Sequence, residues 1–227
     1  MSSRGIFISF EGGEGVGKST HISLLAHRLR AAGIDVLCLR EPGGTVIGEQ
    51  IRAILLDPAN KELTAMSELL LYEAARAQLV TEQILPALAR GSVVLCDRYL
   101  DSTAAYQGFG RQIEQQIVAS ANQLGSLGVL PDRTLVLIDD LSEALFRARE
   151  SGADRLEAES DDFHQRVQNG FLILAEQQAE RIRLIEIAQD KRATAQAVFQ
   201  AVADLFSGVP DDFVISDELL EESRRQR

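Results

Sequence analysis

Short apolar runs alternate with longer amphipathic stretches along the chain. Runs of Val, Ile, Leu and Phe predict five strands, at residues 6–10, 34–40, 92–97, 133–139 and 181–187. Apolar positions at three- and four-residue spacing predict helices over residues 19–33, 47–56, 63–90, 112–124, 142–150, 160–178 and 192–206. Near-continuous apolar strands are typical of a parallel sheet that is covered on both faces. The pattern therefore predicts an α/β protein of three layers, with a central five-stranded parallel sheet between helices.

Composition limits the classes of protein to consider. The 227 residues are 45% hydrophobic, enough for one domain, which we assign to residues 1–207. Residues 208–227 form a polar tail whose composition is compatible with partial disorder. No uncharged apolar run approaches ~18 residues, so no membrane span is expected. The first apolar run is too short for a secretory signal, so none is expected either.

Charge and cysteine content narrow the expected partners. The chain carries 34 acidic and 23 basic residues, a formal net charge of −11, which argues against broad binding to nucleic acid or an anionic membrane. Cys38 and Cys96 both lie inside predicted strands, and two cysteines fit a reducing cytoplasm. We therefore expect small-molecule partners, handled at a local site whose charge opposes that of the whole chain.

One motif carries most of the chemical information. The pattern G-x-x-x-x-G-K-[ST], between the first predicted strand and the first predicted helix, is matched by Gly12, Gly13, Glu14, Gly15, Val16, Gly17, Lys18 and Ser19. Glycines let the backbone N–H groups surround phosphate oxygens, and the helix N-terminus adds partial positive charge. We expect this loop, with Thr20, to bind the phosphates of a nucleoside triphosphate. Lys18 would reach the β- and γ-phosphates, and Ser19 would hold Mg²⁺.

A second pair of candidate residues follows the third predicted strand. Asp97 stands at its carboxyl end, where a carboxylate can hold Mg²⁺ or orient an attacking oxygen. Arg98 offers a two-pronged hydrogen-bond donor to a second phosphate group. No N-K-x-D string is present, which disfavours a GTPase, and the chain is short for an ATP-driven machine. A kinase remains among the classes that share the phosphate loop, and an Asp-Arg pair at a strand end is also commonly structural.

Several separated strings then resemble one family. FEGGEGVGKST, REPGGT, LLLYEAARAQL, DRYLDSTAAYQGFGR and FHQRVQNGFLILAEQQAERIRLIE occur in this order between Phe7 and Phe206 and resemble segments of bacterial thymidylate kinases. The resemblance implies a P-loop kinase fold and transfer of the γ-phosphoryl group of ATP to dTMP, giving dTDP and ADP for dTTP synthesis. It also implies Mg²⁺ as cofactor, a cytoplasmic location, and a homodimer to which the helix at 63–90 contributes.

The resemblance assigns roles around the acceptor. It implies that Lys18, Asp97 and Arg98 act in phosphoryl transfer, with Arg98 on the 5′-phosphate of dTMP. Glu14, an unusual carboxylate within a phosphate loop, would point to the sugar 3′-hydroxyl. For the base, the resemblance implies that Tyr72 stacks on thymine and that Arg76 donates a hydrogen bond to its carbonyl edge. Thr103 and Gln107 would supply further hydrogen bonds around the base. Tyr106 would exclude a ribose 2′-hydroxyl.

A further arginine is implied in a lid over the site, at about residues 147–158. The variable positions of the phosphate loop hold no basic residue, which resembles the family subtype that brings an arginine in from the lid. Arg149 is the first choice for it, Arg147 the second and Arg155 the third. Ser151 departs from the family pattern, because a third arginine is frequent at its position.

Two other functions remain open at this stage. A deoxynucleoside kinase also carries an Asp-Arg pair, but Arg98 would then have no acceptor phosphate to hold. A non-catalytic nucleotide-binding protein is favoured only by the lid departures and by the tail.

Overall fold

A five-stranded parallel sheet forms the middle layer. Its strands are β1 (Phe7–Gly12), β2 (Val36–Arg40), β3 (Val93–Asp97), β4 (Arg133–Ile138) and β5 (Ile182–Glu186), in the order β2-β3-β1-β4-β5. The computed structural model describes residues 4–150, 155–211 and 213–225, and the side chains of 146–150 and 224–225 lie outside that description. The predicted α/β fold with a central parallel sheet is confirmed.

Helices fill the connections between the strands. They are α1 (Lys18–Ala31), α2 (Val46–Leu56), α3 (Ala65–Leu79), α4 (Leu85–Ala89), α5 (Leu100–Thr103), α6 (Gln115–Gly125), α7 (Leu141–Glu150), α8 (Asp161–Gln177), α9 (Lys191–Gln200) and α10 (Asp217–Arg225). A π-helical turn, Val80–Ile84, joins α3 to α4, so the predicted helix 63–90 is one continuous path with an irregular turn. The predicted helix 192–206 ends earlier, at Gln200, and a 3₁₀ turn follows at Ala203–Leu205.

The helical segment after β3 was missed by the sequence analysis. Helix α5 continues into a π-helical stretch, Ala104–Gly110, that contains two glycines and is a poor helix former by composition. Packing against α8 compensates, because Tyr106 contacts Phe163 and Phe171 edge to face at centroid distances of 6.1 and 6.3 Å. Tertiary contacts therefore set the conformation of this stretch.

The two faces of the sheet are covered by different helices. Successive side chains of β1 point to opposite faces of the sheet. Ile8 and Phe10 pack in a core with α1 and α9, and Phe7 packs in a core with α3 and α4. Glu11 shares the side of Phe7, and its side chain is fully buried. Since β1 lies in the middle of the sheet, the loop that follows it is flanked by the carboxyl ends of β3 and β4, the usual place for a ligand site in such sheets.

The end of the chain returns to the first helix. In the described part of the polar tail, Leu220 of α10 packs against Leu24 of α1 and Ala195 of α9. Arg28 of α1 is 5% exposed, and its guanidinium lies 3.2 Å from the centroid of the Phe199 ring and donates to the Pro210 carbonyl. The tail thus covers part of α1 and α9. No helix in the described residues is long and apolar enough to cross a bilayer.

Candidate active site

The phosphate loop connects β1 to α1 through residues that require glycine. Gly12 has φ 125°, and a Cβ at this position would lie 2.3 Å from the Leu137 carbonyl oxygen. Gly17, at φ 85°, precedes the first residue of α1 and is in the left-handed region. The loop can therefore pass close to β4 and enter the helix with its N–H groups at the helix N-terminus.

Lys18 lies inside this loop. Its Nζ donates to the Gly13 carbonyl at 2.7 Å and to the Gly12 carbonyl at 3.3 Å, and the residue is 7% exposed. Burial lowers the pKa of Lys18, and the charge of Arg98 lowers it further, while nearby carboxylates oppose both effects. The ammonium group is thus held by backbone carbonyls at the centre of the loop, where a phosphate oxygen would be its strongest partner.

Ser19 contacts Asp97, and both residues were assigned to Mg²⁺ from the sequence. The Ser19 hydroxyl donates to Oδ2 of Asp97 at 2.9 Å, and Asp97 is the last residue of β3, in register with Phe10 of β1. A hydroxyl and a carboxylate side by side are oxygen ligands of the kind that Mg²⁺ prefers beside phosphates. Among the described residues, no group of three or more His, Cys, Asp or Glu side chains could hold a metal alone, so a bound ion would share phosphate and water ligands.

Arg98 occupies a strained position between the loop and α5. Its φ is 68°, a left-handed conformation that is uncommon for a residue other than glycine and recurs at functional sites. Its Nη1 donates to the Gly12 carbonyl and to the Ser102 hydroxyl, both at 3.1 Å. Its Nη2 donates to Glu14 and, at 3.2 Å, to the Tyr106 hydroxyl. This backbone conformation lets one guanidinium contact four groups from three segments.

Two glutamates near Arg98 have opposite pKa shifts. Burial raises the pKa of Glu14, but the charges of Arg98 and Lys18 more than offset it, and the net pKa is below its ordinary value. Burial and the neighbouring Asp101 raise the pKa of Glu11 to about 8, although it accepts a hydrogen bond from the Tyr99 N–H at 2.8 Å. Glu14 is thus an anion at neutral pH, whereas Glu11 is mostly protonated.

A cavity of about 600 Å³ opens in front of these residues. Its walls come from the phosphate loop, the residues after β2 and β3, α2, α3, the π-helical stretch and residues 156–157. Five basic side chains line it, against four acidic ones, namely Lys18, Arg40, Arg52, Arg76 and Arg98 against Glu14, Glu41, Asp97 and Glu157. The whole chain has the opposite balance, so the cavity is where an anionic ligand is least opposed.

Arg76 lies in the cavity wall, and each of its three guanidinium nitrogens contacts a polar partner. Nε donates to Oε2 of Glu41 at 2.8 Å, and Nη2 forms an ion pair with the same oxygen at 2.8 Å. Nη1 donates to Glu73 at 2.6 Å and to Asn122 at 2.7 Å. Nη2 also donates to the Thr103 hydroxyl at 2.9 Å. Burial raises the pKa of Glu41 to about 7 against the opposing charge of Arg76. A ligand carbonyl would therefore share a donor of Arg76 with these partners.

The comparisons with known proteins decide the family. The thymidylate kinase family model matches residues 10–198. A thymidylate kinase from Trichlorobacter lovleyi is 47% identical over 204 residues, covering 87% of this chain and 96% of that protein. One from Citrifermentans bemidjiense is 49% identical over 206 residues, covering 87% and 91%. The crystal structure of the thymidylate kinase from Ehrlichia chaffeensis has a TM-score of 0.72 at 30% identity, covering 88% of this chain and 99% of that one. The chain belongs to the thymidylate kinase family.

The structure brings most of the predicted site residues to one cavity. Those that line it are Glu14, Gly15, Gly17, Lys18, Ser19, Thr20, Tyr72, Arg76, Asp97, Arg98, Thr103, Tyr106 and Gln107. Gly12, Gly13 and Val16 lie in the same loop and line a smaller cavity of about 30 Å³ behind it. The side chains of Arg147 and Arg149 lie outside the described residues. The third lid candidate, Arg155, contacts Glu68 at 2.6 Å and the Leu55 carbonyl at 2.8 Å.

Several residues of this thymidylate kinase site were missed. Arg40 ends β2 as Asp97 ends β3, and the two are in register, so the strand-end argument applies equally to Arg40. Arg52 lies on α2 and reaches the cavity, where its Nη1 donates to the Pro42 carbonyl at 2.9 Å. Glu11 could have been suspected, because a carboxylate inside a buried apolar strand needs a partner. No local pattern marks Glu68, whose partners come from distant segments.

Proposed function

We propose that the chain transfers the γ-phosphoryl group of ATP to dTMP, with the donor on the phosphate loop and the acceptor in the cavity beside Arg98. As a member of the thymidylate kinase family, the chain is a nucleoside monophosphate kinase that acts on dTMP. Residues Gly12 to Thr20 would bind the ATP phosphates, and Lys18 would neutralise charge on the β- and γ-phosphates during transfer. Ser19 and Asp97 would hold Mg²⁺, which supplies a further positive charge between the two substrates.

The acceptor side follows from the same cavity. Arg98 would turn its guanidinium from the loop carbonyl to the 5′-phosphate of dTMP, and Glu14 would accept a hydrogen bond from the sugar 3′-hydroxyl. Tyr106, fixed by Glu14 and Arg98, would stand against the sugar and exclude a 2′-hydroxyl. No covalent intermediate is needed, because alignment of the two phosphates and neutralisation of their repulsion lower the barrier.

The base would lie between α3 and the π-helical stretch. Tyr72 and Arg76, four residues apart on α3, share one helix face, and both line the cavity. Tyr72 would stack on the thymine ring and Arg76 would share a donor with a thymine carbonyl. The Thr103 oxygen already accepts from Arg76, so its hydroxyl hydrogen can be directed at the base.

The main support for this proposal is the position of the Arg98 guanidinium, which contacts Gly12, Glu14, Ser102 and Tyr106. A cation held between the phosphate loop and the acceptor cavity suits a phosphorylated acceptor, whereas a deoxynucleoside kinase needs a base to activate a 5′-hydroxyl. The test is a coupled assay with dTMP, dUMP, dCMP and thymidine as acceptors, with and without Mg²⁺. We expect Mg²⁺-dependent turnover with dTMP as the best substrate. Turnover of thymidine but not of dTMP would overturn the proposal.

Arg149, with Arg147 as second choice, is the proposed lid arginine that completes the charge on the transferring group. The position of Arg155, bonded to a buried carboxylate on α3, supports a structural role for it instead. In the same assay, the alanine variant of the arginine that contacts the phosphoryl group is expected to lose kcat by about 10²-fold. Equal activity of both variants and the parent chain would remove the lid arginine from the mechanism.

We also infer a homodimer, in which α2, α3 and α6 of two copies face each other. This surface exposes large apolar side chains that would otherwise contact water, namely Val46, Ile47, Ile54, Met66, Leu70, Ile117 and Leu124. Leu70 is 57% exposed and lies on α3, the helix that the resemblance implies in the dimer. Equilibrium sedimentation is expected to give twice the chain mass and, for Leu70→Lys, weaker association. A monomer at micromolar concentration would contradict the inference.

We propose a cytoplasmic location because both cysteines are free thiols and because the donor substrate is ATP. Cys38 and Cys96 are both free, and Cys38 is exposed, which is compatible with a reducing compartment that supplies ATP. Cell fractionation should recover the activity with cytosolic enzymes, and recovery from an oxidising compartment would contradict the proposal.

A further inference from the structure

A buried carboxylate on α3, that of Glu68, lies behind the part of the cavity wall that is proposed to contact the nucleobase. Glu68 is 0% exposed, accepts hydrogen bonds from Gln107 and Arg111, and forms an ion pair with Arg155. Gln107 donates to its Oε1 at 2.7 Å, Arg111 donates to both oxygens at 3.1 and 3.0 Å, and Arg155 contacts Oε2 at 2.6 Å. Burial raises the pKa of Glu68, but the hydrogen bonds from Arg111 and Gln107 and the two guanidinium charges more than offset it. Glu68 is therefore a stable anion at neutral pH.

These partners belong to two segments beside the cavity that are distant from α3 along the chain. Gln107 is in the π-helical stretch, Arg111 directly follows it, and Arg155 precedes Leu156 and Glu157, which line the cavity. Arg111 also contacts Glu159 at 2.6 Å. The two arginines and two glutamates balance in charge, so the cluster can be buried without a net charge. Glu68 thus connects α3 to two other segments that surround the acceptor.

The contact with Glu68 also fixes the orientation of the Gln107 amide. An ionised carboxylate only accepts hydrogen bonds, so the group that faces Glu68 must be the NH₂ group of Gln107. The carbonyl Oε1 is then the group that this amide can offer to a ligand in the cavity. An acceptor at this place matches the N3–H donor of thymine and is mismatched to the N3 acceptor of cytosine. A buried mismatch of two acceptors is costly because neither group is satisfied.

We propose that Glu68 is a positioning residue for base selection: it holds the Gln107 amide with its carbonyl available to the base and thereby favours thymine over cytosine. The inference rests on the proposed contact of Gln107 with the base. Arg111 and Arg155 keep the carboxylate ionised and in place, so the selection depends on a charged cluster that does not itself touch the substrate.

The direct test is Glu68→Gln. A neutral amide can present either its oxygen or its NH₂ group to Gln107, so the orientation is no longer imposed. We expect the ratio of kcat/KM for dTMP to kcat/KM for dCMP to fall about tenfold, the loss of one well-placed hydrogen bond. KM for dTMP should rise about tenfold, and KM for ATP should stay within about twofold. Glu68→Asp, which keeps an acceptor-only group, should restore most of the preference.

Four further variants separate the possible outcomes. Asp101→Asn removes another buried carboxylate, bonded to Arg181 at 2.7 Å and outside the cavity, and should lose stability without changing the base preference. If Glu68→Gln does not fold, Glu68→Gln/Arg111→Gln keeps the cluster neutral and tests the same change. Gln107→Leu should lower the preference as much as Glu68→Gln, and the two changes together should lower it no further.

The contact of Gln107 with the base and the positioning role of Glu68 can be refuted separately. An unchanged preference in Gln107→Leu would refute the contact between Gln107 and the base, which belongs to the proposed function. A lowered preference in Gln107→Leu combined with an unchanged one in Glu68→Gln would refute the positioning role of Glu68. The positioning role of Glu68 would also be refuted if Glu68→Gln lowered kcat/KM for dTMP and for dCMP equally. Such a result, together with a loss of thermal stability like that of Asp101→Asn, would indicate a general structural effect.

Discussion

Replacing Lys18 by alanine is expected to lower kcat for transfer from ATP to dTMP by about 10³-fold while the fold persists. The Nζ group lies inside the phosphate loop, 2.7 Å from the Gly13 carbonyl oxygen, and alanine leaves this position without a charge. Its charge acts on the β- and γ-phosphates, where negative charge moves during transfer. KM for dTMP should change by no more than about threefold, because Lys18 belongs to the donor side. Steady-state kinetics of the purified variant provide the measurement.

A matched control is available in the same chain. Lys61 is exposed on the connection between α2 and α3, and Lys61→Ala removes the same charge away from the cavity. Its kinetics should equal those of the parent chain. Activity of Lys18→Ala within tenfold of that of Lys61→Ala would contradict the assignment of Lys18. Circular dichroism of both variants checks that the fold is intact.

Arg98→Ala should be nearly as damaging, but through the acceptor. We expect kcat/KM for dTMP to fall by about 10²- to 10³-fold, because the 5′-phosphate loses its charged partner. The free energy of unfolding should also fall, by about 2 kcal/mol, because Glu14 and Ser102 lose a shared donor. Arg98→Lys keeps the charge but cannot contact four groups, so its kcat/KM should lie between those of Arg98→Ala and the parent chain.

A double variant and a pH series resolve the two effects of Arg98. Glu14→Gln/Arg98→Ala should recover most of the stability, since no carboxylate is left unpaired, but not the activity with dTMP. The Arg98 charge helps to keep the pKa of Glu14 below 4.5 in the folded chain. The ion pair between Glu14 and Arg98 therefore stabilises the fold above pH 4.5, and this stabilisation is lost as the pH falls through the pKa of Glu14 in the folded chain. The stability gap between Arg98→Ala and the parent chain should therefore narrow below pH 4.5. A constant gap would show that Glu14 is not the coupled group.

The parts of the site that follow from local sequence were predictable. The spacing of Gly12, Gly17 and Lys18 requires only a strand, a tight loop and a helix, which adjoin along the chain. The meeting of Ser19 and Asp97 required one further step, namely that β1 and β3 are parallel neighbours whose carboxyl ends lie at the same edge. The continuous apolar runs indicated a buried parallel sheet, whose carboxyl ends lie at one edge, but the strand order that makes β1 and β3 neighbours comes from the structure.

Other parts depend on tertiary contacts that leave no local signal. Glu68 reads as one charged residue in an amphipathic helix, and its burial depends on Arg111 and Arg155 arriving from distant segments. Arg28 likewise reads as a solvent-facing residue of α1, but the tail covers it. The tail composition indicated a polar segment, and the amphipathic pattern that places Leu220 against Leu24 spans too few residues to separate a docked helix from a solvated one.

The central position of β1 has a consequence for how the chain comes to be folded. β1 leaves the ribosome before both of its neighbours in the sheet, which begin only at Val93 and Arg133, and α10, which packs against α1, follows later still. Pairings between distant segments form slowly, and until they form the apolar strand Phe7–Phe10 is exposed to aggregation or to chaperones. Since Asp97 and Arg98 arrive with β3, the phosphate loop lacks these two partners during the first part of synthesis. The capacity to bind nucleotide is therefore acquired late in the biogenesis of the protein.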